Sequence, residues 1–464
     1  MSVSDTVASV PSSAVIRRWP TAMVLGSAMF LVLFDSLAVA TALPRIGAEL
    51  DLRPTTLQWV VSLYSLSIGG LLLLGGRVCD VWGRRRLLVA SLTLCAGGSL
   101  LAGSAPGLPL LLTGRVLQGV AAAFAIPATL AMAATLFPEE PWRSRVFSVV
   151  AVSGNSAGLA GAVCGGLLAA EFGWRWVFLA PVPVSVLAVA AAMTFLPPDP
   201  PGRPERERFD IAGAVLATVG PVALIYGCGR LAEPGPAAAV TLGPIVGGLG
   251  LLAGLVVVER RAPHPLVRPG LLRSRRLVGC CLAFAAHSAA YAAVVVVGSL
   301  YLQDVHGLSA AGAGLILAPV LLASLVSALP AGALIRRYGS RVVVAGALVL
   351  CAFTLTLVAV NAGGDLAAVL PWFIAWGLSA GPVYVGLTRE CIGDAATGDR
   401  GTASALFEST THIGGALSVA AYLTLFGAGF GYRSALLAGA GAVAVGVLTT
   451  LVILPRPARH KARA

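Results

Sequence analysis

The chain of 464 residues has little charge: Asp, Glu, Lys and Arg together make up 11%, against 57% hydrophobic residues. Soluble globular proteins carry about 25% charged residues, so a soluble enzyme or binding domain is excluded. Lysine is almost missing. Lys461 is the only one, which rules out a G-x-x-x-x-G-K-S/T phosphate loop and ATP hydrolysis by that route. The cysteines Cys79, Cys95, Cys164, Cys228, Cys280, Cys281, Cys351 and Cys391 sit in or beside apolar runs without metal-ligand or disulfide spacing. Clustered His or paired Asp motifs of a membrane-embedded enzyme are also missing. The chain is therefore read as no enzyme, without cofactor or metal, and any pumping must draw on an ion gradient.

What is present is a succession of apolar runs. A helix rising about 1.5 Å per residue needs about 20 apolar residues to cross a hydrocarbon core of about 30 Å. Fourteen candidate spans lie at 21–43, 56–76, 87–104, 109–134, 146–170, 174–196, 211–230, 238–258, 277–301, 309–333, 342–361, 366–388, 402–427 and 434–454. The first is too long for a signal-peptide core and carries Asp35, so it is expected to remain as a span.

The formal charge of +12 is not gathered on one surface, which argues against a nucleic-acid partner. Most of the basic residues fall in every second gap, among them Arg17, Arg18, Arg77, Arg84, Arg85, Arg86, Arg143, Arg145, Arg336, Arg337 and Arg341. By the positive-inside rule both termini are expected in the cytoplasm of a multi-pass protein of the cell membrane.

The sequence also echoes itself. Leu52 and Leu308, Gly76 and Gly332, Gly83 and Gly339, Arg85 and Arg341, and Gly158 and Gly414 match at a constant offset. Two related six-helix bundles (17–200 and 273–455) are expected around two inserted helices (201–272), with tails at 1–16 and 456–464. Such halves build transporters with a midplane site opened alternately to either side.

Four segments resemble the major facilitator superfamily, most closely its 14-helix drug:proton antiporter branch. The run Gly76-Arg-Val-Cys-Asp80-Val-Trp-Gly83-Arg84-Arg85 is similar to the family's G-x-L-a-D-r-x-G-r-k loop. The resemblance implies a latch at the cytoplasmic gate, with Asp80 capping a helix or pairing with Arg84 or Arg85 between the halves. Arg115-Val-Leu-Gln118-Gly119 resembles R-x-x-Q-G and places a permanent charge within a span, at an insertion cost of about 2.5 to 3.5 kcal/mol. The resemblance assigns Arg115 to proton coupling, against a structural Arg that snorkels outward.

Asp35, Leu43, Pro44 and Ile46 match the branch pattern L-D-x-T-I-V-N-V-A-L-P-x-I, while its Thr and Asn are Leu37 and Ala40 here. An ionised carboxyl isolated in low dielectric is unfavourable, which suits a group that takes up and releases a proton. Gly158, Gly161, Gly165 and Gly166 resemble the antiporter signature of the fifth helix, with Ala162 at its proline. Trp174-Arg175-Trp176-Val-Phe178 matches a W-R-W-x-F run, where an aromatic belt would also put it.

In the thirteenth span, Glu408 and His412 are one helical turn apart and share a face. Glu408 is read as functional, and His412 as tuning substrate charge or proton coupling. His287 is read as a satisfied interior histidine. Asp35, Gln118 and Glu408 are the expected substrate contacts, and Asp35, Arg115, Glu408 and His412 the expected coupling groups. The expectation is an all-α monomer in the lipid bilayer that exports amphipathic or cationic small molecules in exchange for protons. A nutrient importer or uniporter on the same fold is the alternative, favoured by the replaced proline and the lost polar residues of the first span.

Overall fold

The computed structural model describes residues 17–139, 141–199, 211–231, 238–261, 269–393 and 400–454. The expected tails, and much of the links around the two inserted helices, lie outside the described residues. The regular elements are helices: α1 (Arg18–Glu49), α2 (Pro54–Trp82), α3 (Arg84–Gly103), α4 (Leu108–Leu136), α5 (Trp142–Glu171), α6 (Arg175–Leu179), α7 (Pro181–Phe195), α8 (Ile211–Leu231), α9 (Ala238–Arg261), α10 (Pro269–Arg273), α11 (Arg275–Ala292), α12 (Gly298–Asp304), α13 (Ala310–Tyr338), α14 (Ser340–Val360), α15 (Leu366–Gly393), α16 (Arg400–Gly427) and α17 (Gly431–Ile453).

Among the described residues, twelve helical stretches are long and apolar enough to cross a membrane. Of the fourteen expected spans, α8 and α16 are not among them. The apolar part of α8 is the short stretch Val215–Gly227, and α16 is interrupted by Glu408, His412 and their Ser and Thr neighbours. Protein surrounds α16 instead, through α2, α8 and α11. A polar helix at membrane depth is tolerated where other helices cover it.

The chain reverses between α2 and α3 at Gly83, whose φ of +98° is a conformation other residues adopt only under strain. Gly339 does the same between α13 and α14 with φ of +83°. Two residues beyond each glycine stands an arginine. Arg85 donates to the carbonyls of Ala192 and Met193 at the end of α7, and Arg341 to that of Leu451 at the end of α17. The sequence repeat is thus a repeat of structure: in each half, the arginine opening the third span closes onto carbonyls in the last turn of the sixth.

We call the side of the bundle that holds Arg18, Arg84 and Leu451 the terminal face, and the opposite side the distal face. On α5, Gly161 lies over the Phe34 carbonyl and Gly165 over the Ala38 backbone, positions a Cβ would occupy only by collision. Small residues let the two backbones approach where no hydrophobic driving force separates helix from lipid. Gly166 meets the backbone of Ala310 on α13, and Gly314 meets Ala162 on α5. Together with Gly69 of α2 against Ser409 and Ile413 of α16, these contacts join the halves from mid-membrane to the distal face. One apolar core runs through both halves there, including Leu43, Ile46, Trp174, Val294, Leu302 and Ala310. Towards the terminal face, the core around Leu25, Leu88, Met132 and Val146 is built from the first half alone.

A π-helical turn, Ala293–Val297, interrupts the helix between α11 and α12. All five of its residues are buried. α12 then sends Gln303 across to α1, where its Nε2 reaches the Thr41 carbonyl at 3.4 Å.

Candidate functional site

Asp35 stands mid-way along α1 and Arg115 about two turns into α4, and they form an ion pair. Neither is reached by solvent: Asp35 is 4% exposed and Arg115 1%. Arg115 Nη1 also donates to Gln118 Oε1 (2.9 Å), and its Nε donates to the Val60 carbonyl (2.6 Å). Gln118 Nε2 donates to Asp35 Oδ1 (3.0 Å) and to Ser99 Oγ (2.9 Å). Both carboxylate oxygens are therefore occupied. The guanidinium lies over the Tyr64 ring at 4.4 Å and the Phe178 ring at 5.8 Å.

This cluster overturns one expectation, that of an isolated Asp35, and bears on two other readings. Asp35 is not isolated, because four helices bring it a cation, an amide and their supports. Arg115 does not snorkel; it is among the most deeply buried large side chains. And Asp35 and Gln118 offer no surface that a cargo can touch in this conformation. The spacing in Arg115-x-x-Gln118 has a direct cause, since residues three apart share a helix face and meet the same carboxylate.

At the turn expected to carry the latch, Asp199 meets the start of α3. The free N–H groups of α3 at Arg85 and Arg86 are capped by Asp199, at 2.9 and 3.0 Å. An acidic group at a helix start satisfies both its amides and its dipole. Among the described residues, the hydrogen bonds of Arg85 stay within the first half. Gly76 has open space where a Cβ would stand. Arg84 is half-buried beside the turn, and the side chain of Asp80 lies outside the described residues.

At the distal face, Glu49 receives Trp174 Nε1 (2.8 Å) and Arg175, tying the end of α1 to the start of α6. Trp174 is 1% exposed and is no belt residue; Trp176, at 48%, fits that role.

In the second half, Glu408 is half-buried, and Tyr384 on α15 donates to it at 3.1 Å. His412 lies one turn further along, also half-buried, but the carboxylate's bond goes to the tyrosine. Behind them is a run of rings that composition did not reveal. Phe284 stacks on Phe407 (4.3 Å between centroids) and on His287 (5.9 Å), and His287 stacks on Trp376 (5.9 Å). Trp376 donates to Cys351 Sγ. His287, expected to be satisfied, is buried with no hydrogen-bond partner for Nδ1 among the described residues. A signal was available, because aromatic residues are only 7% of the chain and yet several fall mid-span. The described residues hold no cluster of His, Cys, Asp or Glu suited to a metal ion.

The family model described as Major Facilitator Superfamily matches residues 25–419 and 279–464. The chain belongs to the major facilitator superfamily. Among superfamily relatives, it is 35% identical to the puromycin resistance protein pur8 of Streptomyces alboniger over 87% of this chain and 81% of that one. It is 35% identical to the cephamycin export protein CmcT of Amycolatopsis lactamdurans over 88% and 85%. With the tetracenomycin C resistance and export protein of Streptomyces glaucescens it shares 29% over 89% and 77%. Its fold matches the nucleoside transporter NupG with a TM-score of 0.67 at 12% identity, covering 94% of this chain and all of that one.

Proposed function

We propose that this chain is a proton-coupled exporter of amphipathic or cationic small molecules of the antibiotic kind, working by alternating access. What supports export is the resemblance, over most of both chains, to proteins named for resistance to and export of antibiotics. What supports proton coupling is the buried Asp35–Arg115–Gln118 cluster, since ionisable groups are costly within a membrane and are kept there for a function such as proton exchange.

In this reading the chain is monomeric in the cell membrane with fourteen spans, the twelve apolar stretches together with α8 and α16. Its bundles run from 17 to 200 and from 273 to 455 around the insert 201–272, with both termini in the cytoplasm. The terminal face is then cytoplasmic, and the halves meet on the outer side. Cargo enters from the cytoplasm and meets Glu408, Tyr384 and His412, the accessible polar groups of the second half. Asp35 acts at a distance. When it takes a proton from outside it releases Arg115, and the cluster of four helices loses the bond that fixed their spacing; when it gives the proton to the cytoplasm, the pair closes again. The glycines of α5 are the surface on which α1 and α13 shift during this exchange, and Asp80 with Arg84 act at the cytoplasmic turn.

The proton gradient is sufficient to drive this. It supplies about 2.3 kcal/mol per 100 mV and about 1.4 kcal/mol per pH unit for each proton, enough for a hundredfold concentration of a neutral cargo. Expression in a drug-sensitive bacterial host tests the reading, with puromycin and a tetracycline-like polyketide as probes. The wild-type chain should raise tolerance, and Asp35→Asn at equal membrane abundance should not. Greater sensitivity on expression would favour an importer.

A further inference from the structure

Tyr64 on α2 has no place in the coupling scheme above, yet it touches both partners' helices. Its ring lies 4.4 Å beneath the Arg115 guanidinium on α4. Its hydroxyl donates to the Val32 carbonyl at 2.6 Å, one turn before Asp35 on α1. The side chain is 2% exposed, so the ring acts in a medium without water to screen it.

We propose that Tyr64 is a positioning residue that gives the Arg115 charge a resting partner while Asp35 is protonated. The proposal rests on the reading of Asp35 as the proton carrier. An aromatic face carries negative quadrupole density and attracts a cation, the more strongly when the pair is desolvated. While Asp35 is ionised, that attraction for Arg115 is partly cancelled by repulsion of the neighbouring carboxylate. Once Asp35 is protonated, the cancellation ends and the ring faces an uncompensated cation. The ring thus favours the protonated state over the ionised one. Without it, the guanidinium would be left with the Val60 carbonyl, the Gln118 amide and the more distant Phe178 ring, all neutral, and Asp35 would hold on to its charge until more acidic conditions. The titratable groups facing the pair are Tyr64 from α2 and Cys95 from α3, while α6 presents the Phe178 ring. The Val32 bond keeps the ring in place without adding charge.

The test uses the full purified chain in detergent micelles and no cargo. Infrared difference spectra across a pH titration show the C=O band of protonated carboxyls, and the component lost in Asp35→Asn belongs to Asp35. Tyr64→Phe should keep the midpoint of that component near the wild-type value, and Tyr64→Leu should move it about one pH unit to acid, tenfold in proton concentration. Successively fluorinated phenylalanines at position 64 keep the ring's volume while draining its quadrupole, and the midpoint should step down with each. An unchanged midpoint through the fluorinated series would overturn the proposal. So would a Tyr64→Phe shift as large as that of Tyr64→Leu, since the hydroxyl bond would then be what matters. If Asp35→Asn removes no band, the proton-carrier reading itself fails, and the role of Tyr64 falls with it.

Discussion

Asp35 and Arg115 stand 80 positions apart and meet as an ion pair sealed from water inside the first half. Removing one member of such a pair leaves the other unpaired in low dielectric, at a cost of about 3 to 5 kcal/mol. Arg115→Ala should therefore lower the thermal unfolding midpoint in detergent markedly. Adding Asp35→Asn to Arg115→Ala should restore part of that loss without restoring drug tolerance, because the buried charge is gone along with the exchangeable proton. Unfolding curves of the single and double variants check this.

Arg85 and Arg341 make equivalent bonds to the last carbonyls of α7 and α17. Each is partly open to its surroundings, so Arg85→Ala and Arg341→Ala should each cost about 1 kcal/mol, and the two losses should add because the sites are far apart. A latch between the halves would behave differently, altering transport while leaving the unfolding midpoint in place.

Gly166 and Gly314 allow backbone contact between α5 and α13. Gly314→Val should push this seam open and disfavour the conformation described here. A cysteine introduced as Gln303→Cys on α12, in a chain freed of other reactive thiols, should then react faster with a membrane-impermeant maleimide added from the distal side. Unchanged labelling would show that the seam tolerates the methyl groups.

Glu408 has one described hydrogen bond, from Tyr384, and is half-buried. Glu408→Gln should weaken transport of a cationic probe such as ethidium at least tenfold and that of an uncharged probe by much less. Tyr384→Phe should weaken both modestly. Parallel efflux assays with the two probes separate a charge contact from a packing role.

The sequence made the spans and the repeat legible because both depend on local facts: runs of apolar residues, and glycines at positive φ followed by arginine. It also pointed to Asp35, Arg115 and Gln118, since polar groups in apolar runs stand out. It did not show that they meet one another, because that depends on how α1, α2, α3 and α4 pack. Nor did it show that Asp199 caps α3, because only the path of the chain after α7 brings that carboxylate to the turn. The aromatic stack through Phe284, His287 and Trp376 was hidden for a related reason. Its rings lie on two helices, α11 and α15, and only their registers bring them face to face.

In the proposed cycle, Asp35 exchanges a proton each time cargo is exported. Purified chain in liposomes, loaded with a pH-sensitive dye and given an inside-acid gradient without membrane potential, tests it most directly with puromycin as the outside probe. Puromycin should accumulate inside while the lumen loses acid faster than in protein-free liposomes, and Asp35→Asn should abolish both. Accumulation that persists in Asp35→Asn, or that proceeds with no movement of protons, would contradict the account.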